Sequence, residues 1–309
     1  MSQDLSENLN FVKLFQLFFP VKEIENIVKQ INQQTQYIDF SLKSLWKSLT
    51  VTEIYHYLEC LIYIEVQSLW ELKDHWSSLN FSVKSCLSQK HFKQIQRVFT
   101  IWDFNTSSQK SEESWWFRLE SLATTIHKVC QKYWVSEAHI TVNECMMLYF
   151  EHTQHTIKTS HKSIKQDYKI WSLENHDYIF NWLWYSKNQD MKDLDSKSRK
   201  NTMTDTQALV LSLAKRLLNP AKNYTLYFDN FFSSISLAVE LEKLDIEVMS
   251  TAQLTTLELS SSLIQLKHDK EILEWEHLRV AIIKRILCFL WQDNNWVLDK
   301  IIAYNYYRL

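Results

Sequence analysis

Asp229 follows directly on a short apolar run, and a carboxylate in that setting is a candidate metal ligand. The run Tyr224–Phe228 predicts a buried strand, and Ile235–Leu244 predicts a helix with Ser233 or Ser234 as its N-cap. In open α/β sheets, ligands bind outside the carboxyl ends of the strands, and Mg²⁺ prefers oxygen ligands of this kind. The alternative is that Asp229 only caps the turn between the strand and the helix.

A second stretch places two polar residues in the middle of a predicted strand. His139–Phe150 alternates between apolar and other residues, and it carries Asn143 and Glu144 next to each other. Neighbouring residues of a strand point to opposite faces, so only one of these two side chains can face a site. An exposed Glu144 without a functional role is the simpler interpretation.

The surrounding pattern predicts a helical region followed by an α/β region. Apolar residues recur at helical spacing over the first 135 residues, and Thr50 with Glu53 predicts a capping box at the start of one helix. Strand and helix patterns alternate from His139 onward, which is typical of a sheet covered by helices. The further predicted elements are strands Lys169–Leu173, Tyr178–Tyr185, Ile246–Met249, Arg285–Trp291 and Trp296–Tyr304, a turn Gln292–Asn295, and a helix Thr204–Leu218.

Composition excludes several classes of function. The 309 residues include no glycine and two prolines, and the usual ATP- and dinucleotide-binding loops cannot be built without glycine. We therefore expect no nucleotide cofactor.

A net charge of −2 argues against a generally basic nucleic-acid binder, and no apolar run reaches the roughly 18 residues that a membrane span needs. The five cysteines are scattered singly, which predicts an intracellular protein without a disulfide framework.

Several motifs, in order, resemble those of the piggyBac family of DNA transposases over nearly the whole chain. The most specific is Phe228–Ser234 (FDNFFSS), which is similar to the turn that holds the family's second catalytic Asp. Ile140–Glu144 resembles the strand with the first catalytic Asp, and Phe92–Ile95 followed by Asp103 resembles the RFxxI…D block. The residues that match the family's KPxKxGxK stretch are Lys162, Lys165 and Lys169.

The resemblance implies a fold of the α+β or α/β class. It predicts a helical dimerisation and DNA-binding region over residues 1–136 and an incomplete ribonuclease-H-like core with a mixed sheet over 137–255. A β-rich insertion segment is expected over 256–309. The implied chemistry is cut-and-paste DNA transposition, in which three carboxylates, Asp229 among them, hold two Mg²⁺ ions. The implied partners are DNA and a second copy of the chain, and the implied location is the nucleus.

The sequence departs from the family's pattern at the site itself. Asn143 stands where the resemblance places the first catalytic Asp, and a neutral amide supplies no negative charge. The third catalytic Asp is expected beyond Leu309. The positions at which the family's motifs have glycine are occupied by Asp167, Asp177, Asp245 and Ser250. Single G→A or C→T transitions explain each change, so we expect a copy decayed by directional mutation; an AT-rich genome under ordinary selection is the alternative.

These observations predict a transposase-derived protein without catalytic activity, with no bound Mg²⁺ and with residual DNA binding. The candidate DNA contacts are Lys93, Arg97, Lys158, Lys162, Lys165 and Lys169, for which simple solvated lysines are the alternative interpretation. Two other functions stay open. One is residual Mg²⁺-dependent DNA nicking by Asp229 with Glu144, and the other is a protein-interaction module that does not bind DNA.

Overall fold

A computed structural model describes most of the chain in two compact units, which divide between Val129 and Cys130. The predicted border between residues 136 and 137 falls just after this division. The described residues are 11–35, 46–67, 69, 71–77, 81–102, 115–148, 156–158, 166–185, 203–217, 222–251, 278–283, 286–291 and 303–305. Within them, no helix combines the length and the apolar character needed to cross a lipid bilayer.

Helices build the first unit, as predicted. They are α1 (Phe11–Phe18), α2 (Val21–Gln34), α3 (Val51–Gln67), a 3₁₀ turn (Leu72–Trp76), α4 (Phe81–Cys86), α5 (Gln89–Val98) and the start of α6 (Glu120–Tyr133). Ile24, Ile27 and Ile31 recur on one side of α2 and are almost completely buried. Thr50 and Glu53 form the predicted capping box, since the Thr50 N–H donates to Glu53 Oε2 (2.8 Å) and the Glu53 N–H to Thr50 Oγ1 (3.3 Å).

A mixed sheet forms the centre of the second unit and confirms the predicted fold class. Its strands are β1 (His139–Leu148), β2 (Ile157–Lys158), β3 (Gln166–Asn175), β4 (Tyr178–Trp184), β5 (Tyr224–Phe228) and β6 (Ile246–Ser250). The main order is β4-β3-β1-β5-β6, and β2 also pairs with β3. The pairs β4–β3 and β3–β1 are antiparallel, whereas β1–β5 and β5–β6 are parallel. This is a ribonuclease-H-like arrangement.

Two helices complete the core around this sheet. They are α7 (Asp205–Ala214), whose N-cap is Thr204, and α8 (Ile235–Glu242), whose N-cap is Ser234. The parallel pair β5–β6 needs a crossover between its strands, and α8 provides it. The most completely buried side chains of this unit are Ile140, Leu173, Leu209, Leu213, Leu226, Leu237 and Leu241. The core therefore lies where one face of the sheet meets the two helices.

Tight turns in this unit place non-glycine residues in the left-handed region. His176 and Asp177 join β3 to β4 with φ angles of 49° and 62°, and Asp245 follows α8 with φ of 58°. Asp177 and Asp245 are two of the four positions at which the resemblance implies glycine. The other two, Asp167 and Ser250, lie within β3 and β6.

A second, three-stranded sheet covers the described part of the last fifty residues. Its strands are β7 (Leu278–Ile283), β8 (Ile286–Trp291) and β9 (Ala303–Asn305), all paired antiparallel in the order β7-β8-β9. β8 matches the predicted strand 285–291 closely. The predicted strand 296–304 coincides with β9 only at its end, and the predicted turn 292–295 lies outside the described residues. β7 is not among the strands that the sequence pattern predicts.

Candidate active site

The candidate site lies where β1 and β5 run side by side. Their parallel register pairs His139 with Thr225 and Thr141 with Tyr227. Continued by two residues, this register aligns Asn143 with Asp229. A hydrogen bond of 2.9 Å between Tyr227 Oη and His139 Nδ1 shows that these side chains share a face of the sheet. Because side chains alternate along a strand, Asn143 belongs to that same face, and the alternation of β5, continued one residue past its end at Phe228, assigns Asp229 to it as well.

Asn143 is exposed in the middle of β1, and its amide has partners on both sides. The Asn143 Nδ2 atom donates to Glu174 Oε2 on β3 over 3.5 Å, and Asn143 Oδ1 accepts from the Glu144 N–H over 2.8 Å. The other carboxylate oxygen of Glu174 accepts from Ser172 Oγ at 2.5 Å and from Cys145 Sγ at 3.3 Å. The amide therefore belongs to a hydrogen-bonded cluster that joins β1 to β3.

The thiol of Cys145 acts as a donor in this cluster. Burial raises the pKa of Cys145, and the neighbouring Glu174 carboxylate raises it further, while a hydrogen bond with Ser172 has the opposite effect. The thiol therefore stays protonated at neutral pH. Glu174 was not among the residues selected from sequence, because the predicted strand ended at Leu173 and left Glu174 outside it.

Asp229 is exposed directly after β5, and short-range hydrogen bonds shape its turn. Asp229 Oδ1 accepts from the Asn230 N–H at 2.5 Å and from Thr251 Oγ1 at 3.5 Å. The Phe232 N–H donates to the Asp229 carbonyl oxygen at 3.1 Å, and the buried Ser233 hydroxyl lies within hydrogen-bonding reach of that same oxygen. The carboxylate thus projects from a well-anchored turn between β5 and α8.

Glu144 lies on the other face of β1, as alternation requires. Its Oε2 atom forms an ion pair of 2.9 Å with Lys169 Nζ on β3, in a largely buried position. Alternation therefore puts Glu144 on the face of β1 opposite that of Asn143. The ion pair with Lys169 engages the Glu144 carboxylate, which disfavours Glu144 as a partner of Asp229 in a metal site.

Comparisons with known proteins identify the origin of this arrangement. A sequence profile described as "Transposase IS4" matches residues 11–305, which is almost the whole chain. The chain belongs to that transposase family. No curated protein matches this sequence.

Among solved structures, a piggyBac transposase in a synaptic complex with hairpin DNA has the same fold. The TM-score is 0.81 over 98% of this chain, with 17% sequence identity. This chain spans 62% of the length of that transposase chain. The resemblance drawn from the ordered motifs is therefore confirmed at the level of the family and of the fold.

The donor set of this transposase-family chain does not fit the two-metal chemistry of catalytic transposases. The aligned pair of Asn143 and Asp229 supplies one carboxylate, and the neutral amide oxygen of Asn143 already accepts the Glu144 N–H. Within the described residues, no group of three or more His, Cys, Asp or Glu side chains is arranged to hold a metal ion. The resemblance assigns Asn143 to a position at which a two-metal site would need a carboxylate.

The basic candidates fall into three groups in this transposase fold. Lys93 and Arg97 are exposed on α5, one turn apart. Lys169 is 8% exposed, is paired with Glu144, and has its ammonium 3.7 Å from the centre of the Trp171 ring. A buried, paired ammonium is unsuited to a phosphate contact, so Lys169 leaves the set of candidates. Lys162 and Lys165 lie outside the described residues, as does the side chain of Lys158.

Proposed function

We propose that this chain is a transposase-derived DNA-binding protein that does not cleave DNA. The observation that carries the proposal is the alignment of Asn143 with Asp229 on neighbouring strands. The resemblance assigns both positions to catalytic carboxylates, and only Asp229 retains its charge. Because its proposed partner is DNA and its family acts on DNA, we place the protein in the nucleus. We also propose that it pairs with a second copy of itself, as the family resemblance implies.

The loss of one carboxylate affects the chemistry more than the fold. A two-metal site stabilises both the attacking and the leaving oxygen, and it relies on carboxylates to hold the cations close together. An amide at one of these positions keeps the size of the side chain but lacks its charge. β1 pairs with β3 and β5, and the Asn143 amide is hydrogen-bonded to Glu174 and Glu144. The fold is therefore kept without the charge that the reaction needs.

DNA binding is supported by the exposed side of α5. Lys90, Lys93 and Arg97 follow one another at intervals of three and four residues, and all three are exposed. This spacing places them on one side of the helix. The opposite side buries Phe92, Ile95 and Val98 in the core of the helical unit. A rigid row of cations suits the contact with successive DNA phosphates.

Cleavage is tested with supercoiled plasmid DNA and Mg²⁺ or Mn²⁺. The wild type is expected to nick no faster than Asp229→Ala, which removes the remaining carboxylate of the pair. Metal-dependent nicking that Asp229→Ala abolishes would instead establish a nuclease. A protein without cleavage activity but with bound DNA supports the proposal.

DNA binding is tested by fluorescence anisotropy with a labelled duplex over a range of salt concentrations. The double variant Lys93→Gln/Arg97→Gln should bind more weakly and lose about two units from the slope of log K against log salt. Lys22→Gln/Lys29→Gln on α2 is the matched control, since it removes two exposed cations from another helix of the same unit. If the wild type shows no binding at any salt concentration, the DNA-binding proposal is wrong.

A further inference from the structure

A cleft in the helical unit is lined by α2 and by the first turns of α6. Its volume is about 710 Å³, which is within the usual range of ligand pockets. On each helix the lining residues follow one another at intervals of three and four: Glu23, Ile27 and Gln30 on α2, and Ser121, Thr125 and Lys128 on α6. The cleft thus follows each helix for two turns, or about 10 Å. Three residues of an extended chain have the same length.

Gln30 is a buried polar residue in the lining of this cleft. It is 8% exposed, and its neighbours Ile27 and Ile31 on α2 belong to the apolar core. Within the part of the chain that the structure describes, the Gln30 amide has no hydrogen-bond partner. Buried polar groups of folded proteins are nearly always hydrogen-bonded. The partner of this amide must therefore come from what fills the cleft.

Asn26 supplies a second amide one turn before Gln30. It is exposed and lines the same cleft. The helical rise separates the two residues by about 6 Å, close to the roughly 7 Å between alternate residues of an extended chain. Each amide offers an oxygen acceptor and N–H donors, and alternate residues of an extended chain present a C=O and an N–H along one edge. The pair therefore suits the backbone of an extended peptide.

Arg118 is an exposed cation that is held by two aromatic rings of the lining. Its guanidinium carbon lies 5.2 Å from the centre of the Trp102 ring and 5.3 Å from that of Phe117, and the two rings meet edge-on. Among the described residues, Arg118 has no ion pair. A guanidinium that stacks on rings keeps its in-plane N–H groups for a carboxylate. Arg118 is therefore a suitable anchor for one acidic group.

The charge of the lining favours a single carboxylate over a polyanion. Three cations, Lys29, Arg118 and Lys128, are set against two carboxylates, Glu23 and Glu120, which leaves a net charge of +1. The two carboxylates repel a row of closely spaced phosphates. A peptide can instead bring one acidic side chain to Arg118 and place uncharged residues elsewhere.

We propose that this cleft binds an extended segment of a partner protein that carries one Asp or Glu side chain. The amides of Asn26 and Gln30 hold the backbone of the segment, and Arg118 pairs with its carboxylate. This inference goes beyond the proposed DNA-binding function and does not depend on it.

The test uses an array of N-acetylated, C-amidated heptapeptides with Glu at the centre and mixtures of uncharged residues on both sides. A matching array has Gln at the centre. The full chain should bind the Glu array about tenfold more tightly than the Gln array. Arg118→Gln should lose this preference, and Asn26→Ala should bind both arrays more weakly. Lys22→Gln is the control, because it removes an exposed charge from α2 outside the cleft.

Each outcome bears on a separate part of the inference. A wild type that binds neither array, or that binds both equally, would overturn it, as would an unchanged preference in Arg118→Gln. Wild-type binding by Asn26→Ala would remove the amide pair from the site. Displacement of the peptides by duplex DNA, together with weaker DNA binding by Arg118→Gln, would make the cleft a phosphate site instead. Unchanged DNA binding by Arg118→Gln keeps the proposed function separate from this result. Both variants change exposed residues, and thermal unfolding verifies that they keep the fold.

Discussion

Asn143 on β1 is aligned with Asp229, the residue that follows β5, when the parallel register of the two strands is continued by two residues. The register that pairs Thr141 with Tyr227 leads directly to this alignment. The neutral amide and the carboxylate, which the proposed function assigns to the two catalytic positions, are thus on neighbouring strands. The difference between this site and a pair of carboxylates is one amide nitrogen, hydrogen-bonded to Glu174 over 3.5 Å.

Restoring the carboxylate should create a cation site. In Asn143→Asp, the new carboxylate faces Asp229 on one side and Glu174 on the other, and repulsion between like charges should lower the stability of the metal-free protein by about 1 kcal/mol. Mn²⁺ should reverse this loss. Isothermal titration calorimetry should show Mn²⁺ binding by this variant that is tighter than that of the wild type.

The double variant Asn143→Asp/Asp229→Asn provides the control for that experiment. It has the same number of carboxylates in the pair as the wild type, but at exchanged positions. Mn²⁺ binding of this variant at the level of Asn143→Asp would show that Asp229 takes no part in the site.

Glycine at two turns should stabilise the protein. Asp177 and Asp245 adopt φ angles of 62° and 58°, where a Cβ atom is unfavourable and glycine is not. Asp177→Gly and Asp245→Gly should each raise the free energy of unfolding by about 0.5 kcal/mol, after the larger entropy of the unfolded glycine chain is counted. Thermal unfolding measures the effect.

Asp205→Gly is the control for these two substitutions, because it introduces glycine at a position outside the left-handed region. Asp205 lies in the first turn of α7, where φ is that of a normal helix and glycine has no advantage. This variant should be less stable than the wild type. A similar loss in Asp177→Gly or Asp245→Gly would show that the aspartate side chains themselves stabilise these turns.

The ion pair between Glu144 and Lys169 should be strongly coupled. Lys169→Met leaves the Glu144 carboxylate, which is only 22% exposed, without its cation, and should cost about 2 kcal/mol. In Lys169→Met/Glu144→Gln the uncompensated charge is gone, so the double variant should be more stable than Lys169→Met. Urea denaturation of both single variants and the double variant measures the coupling.

The exposed ion pair between Lys243 and Glu240 offers a comparison. Lys243 is 57% exposed there, and Lys243→Met should change stability by less than about 0.5 kcal/mol. If Lys169→Met were equally harmless, the buried pair would have no role in holding β3 against β1.

Acid should weaken the helical unit through Glu53. Burial by itself raises the pKa of Glu53, but hydrogen bonds from Thr50 and His91 outweigh this effect and place the pKa below its usual value of 4.5. A depressed pKa means that the stabilisation is present above the unfolded-state pKa and is lost as the pH falls through the folded-state pKa. The stability difference between wild type and Glu53→Gln should therefore shrink between about pH 5 and about pH 3.

Thr50→Ala tests the cause of that pH dependence. It removes the hydroxyl that bonds to Glu53 Oε2 at 2.8 Å while leaving His91 in place. The variant should be less stable at neutral pH and should depend less on pH in the acid range. An unchanged pH dependence would assign the effect to the Thr50 N–H and to His91, both of which this variant keeps.

Local patterns were sufficient to predict the elements that carry the site. The apolar run before Asp229, the Ser234 cap and the Thr50–Glu53 capping box depend on residues a few positions apart, and all three are present in the structure. The family resemblance also came from short ordered motifs. Where the prediction of an element was incomplete, as at the end of β3, Glu174 was missed with it.

Local patterns could not decide whether Asn143 or Glu144 faces the candidate site, and they could not show that Lys169 is buried. Strand alternation says that neighbours face opposite ways, but only the pairing of β1 with β5 shows which of them shares a face with Asp229. Lys169 looked like a solvated cation because its partners, Glu144 and Phe231, are distant in sequence. The chain by itself determined its elements and its ancestry, whereas the pairing of distant strands decided which side chains meet, because contacts between distant segments depend on register and packing.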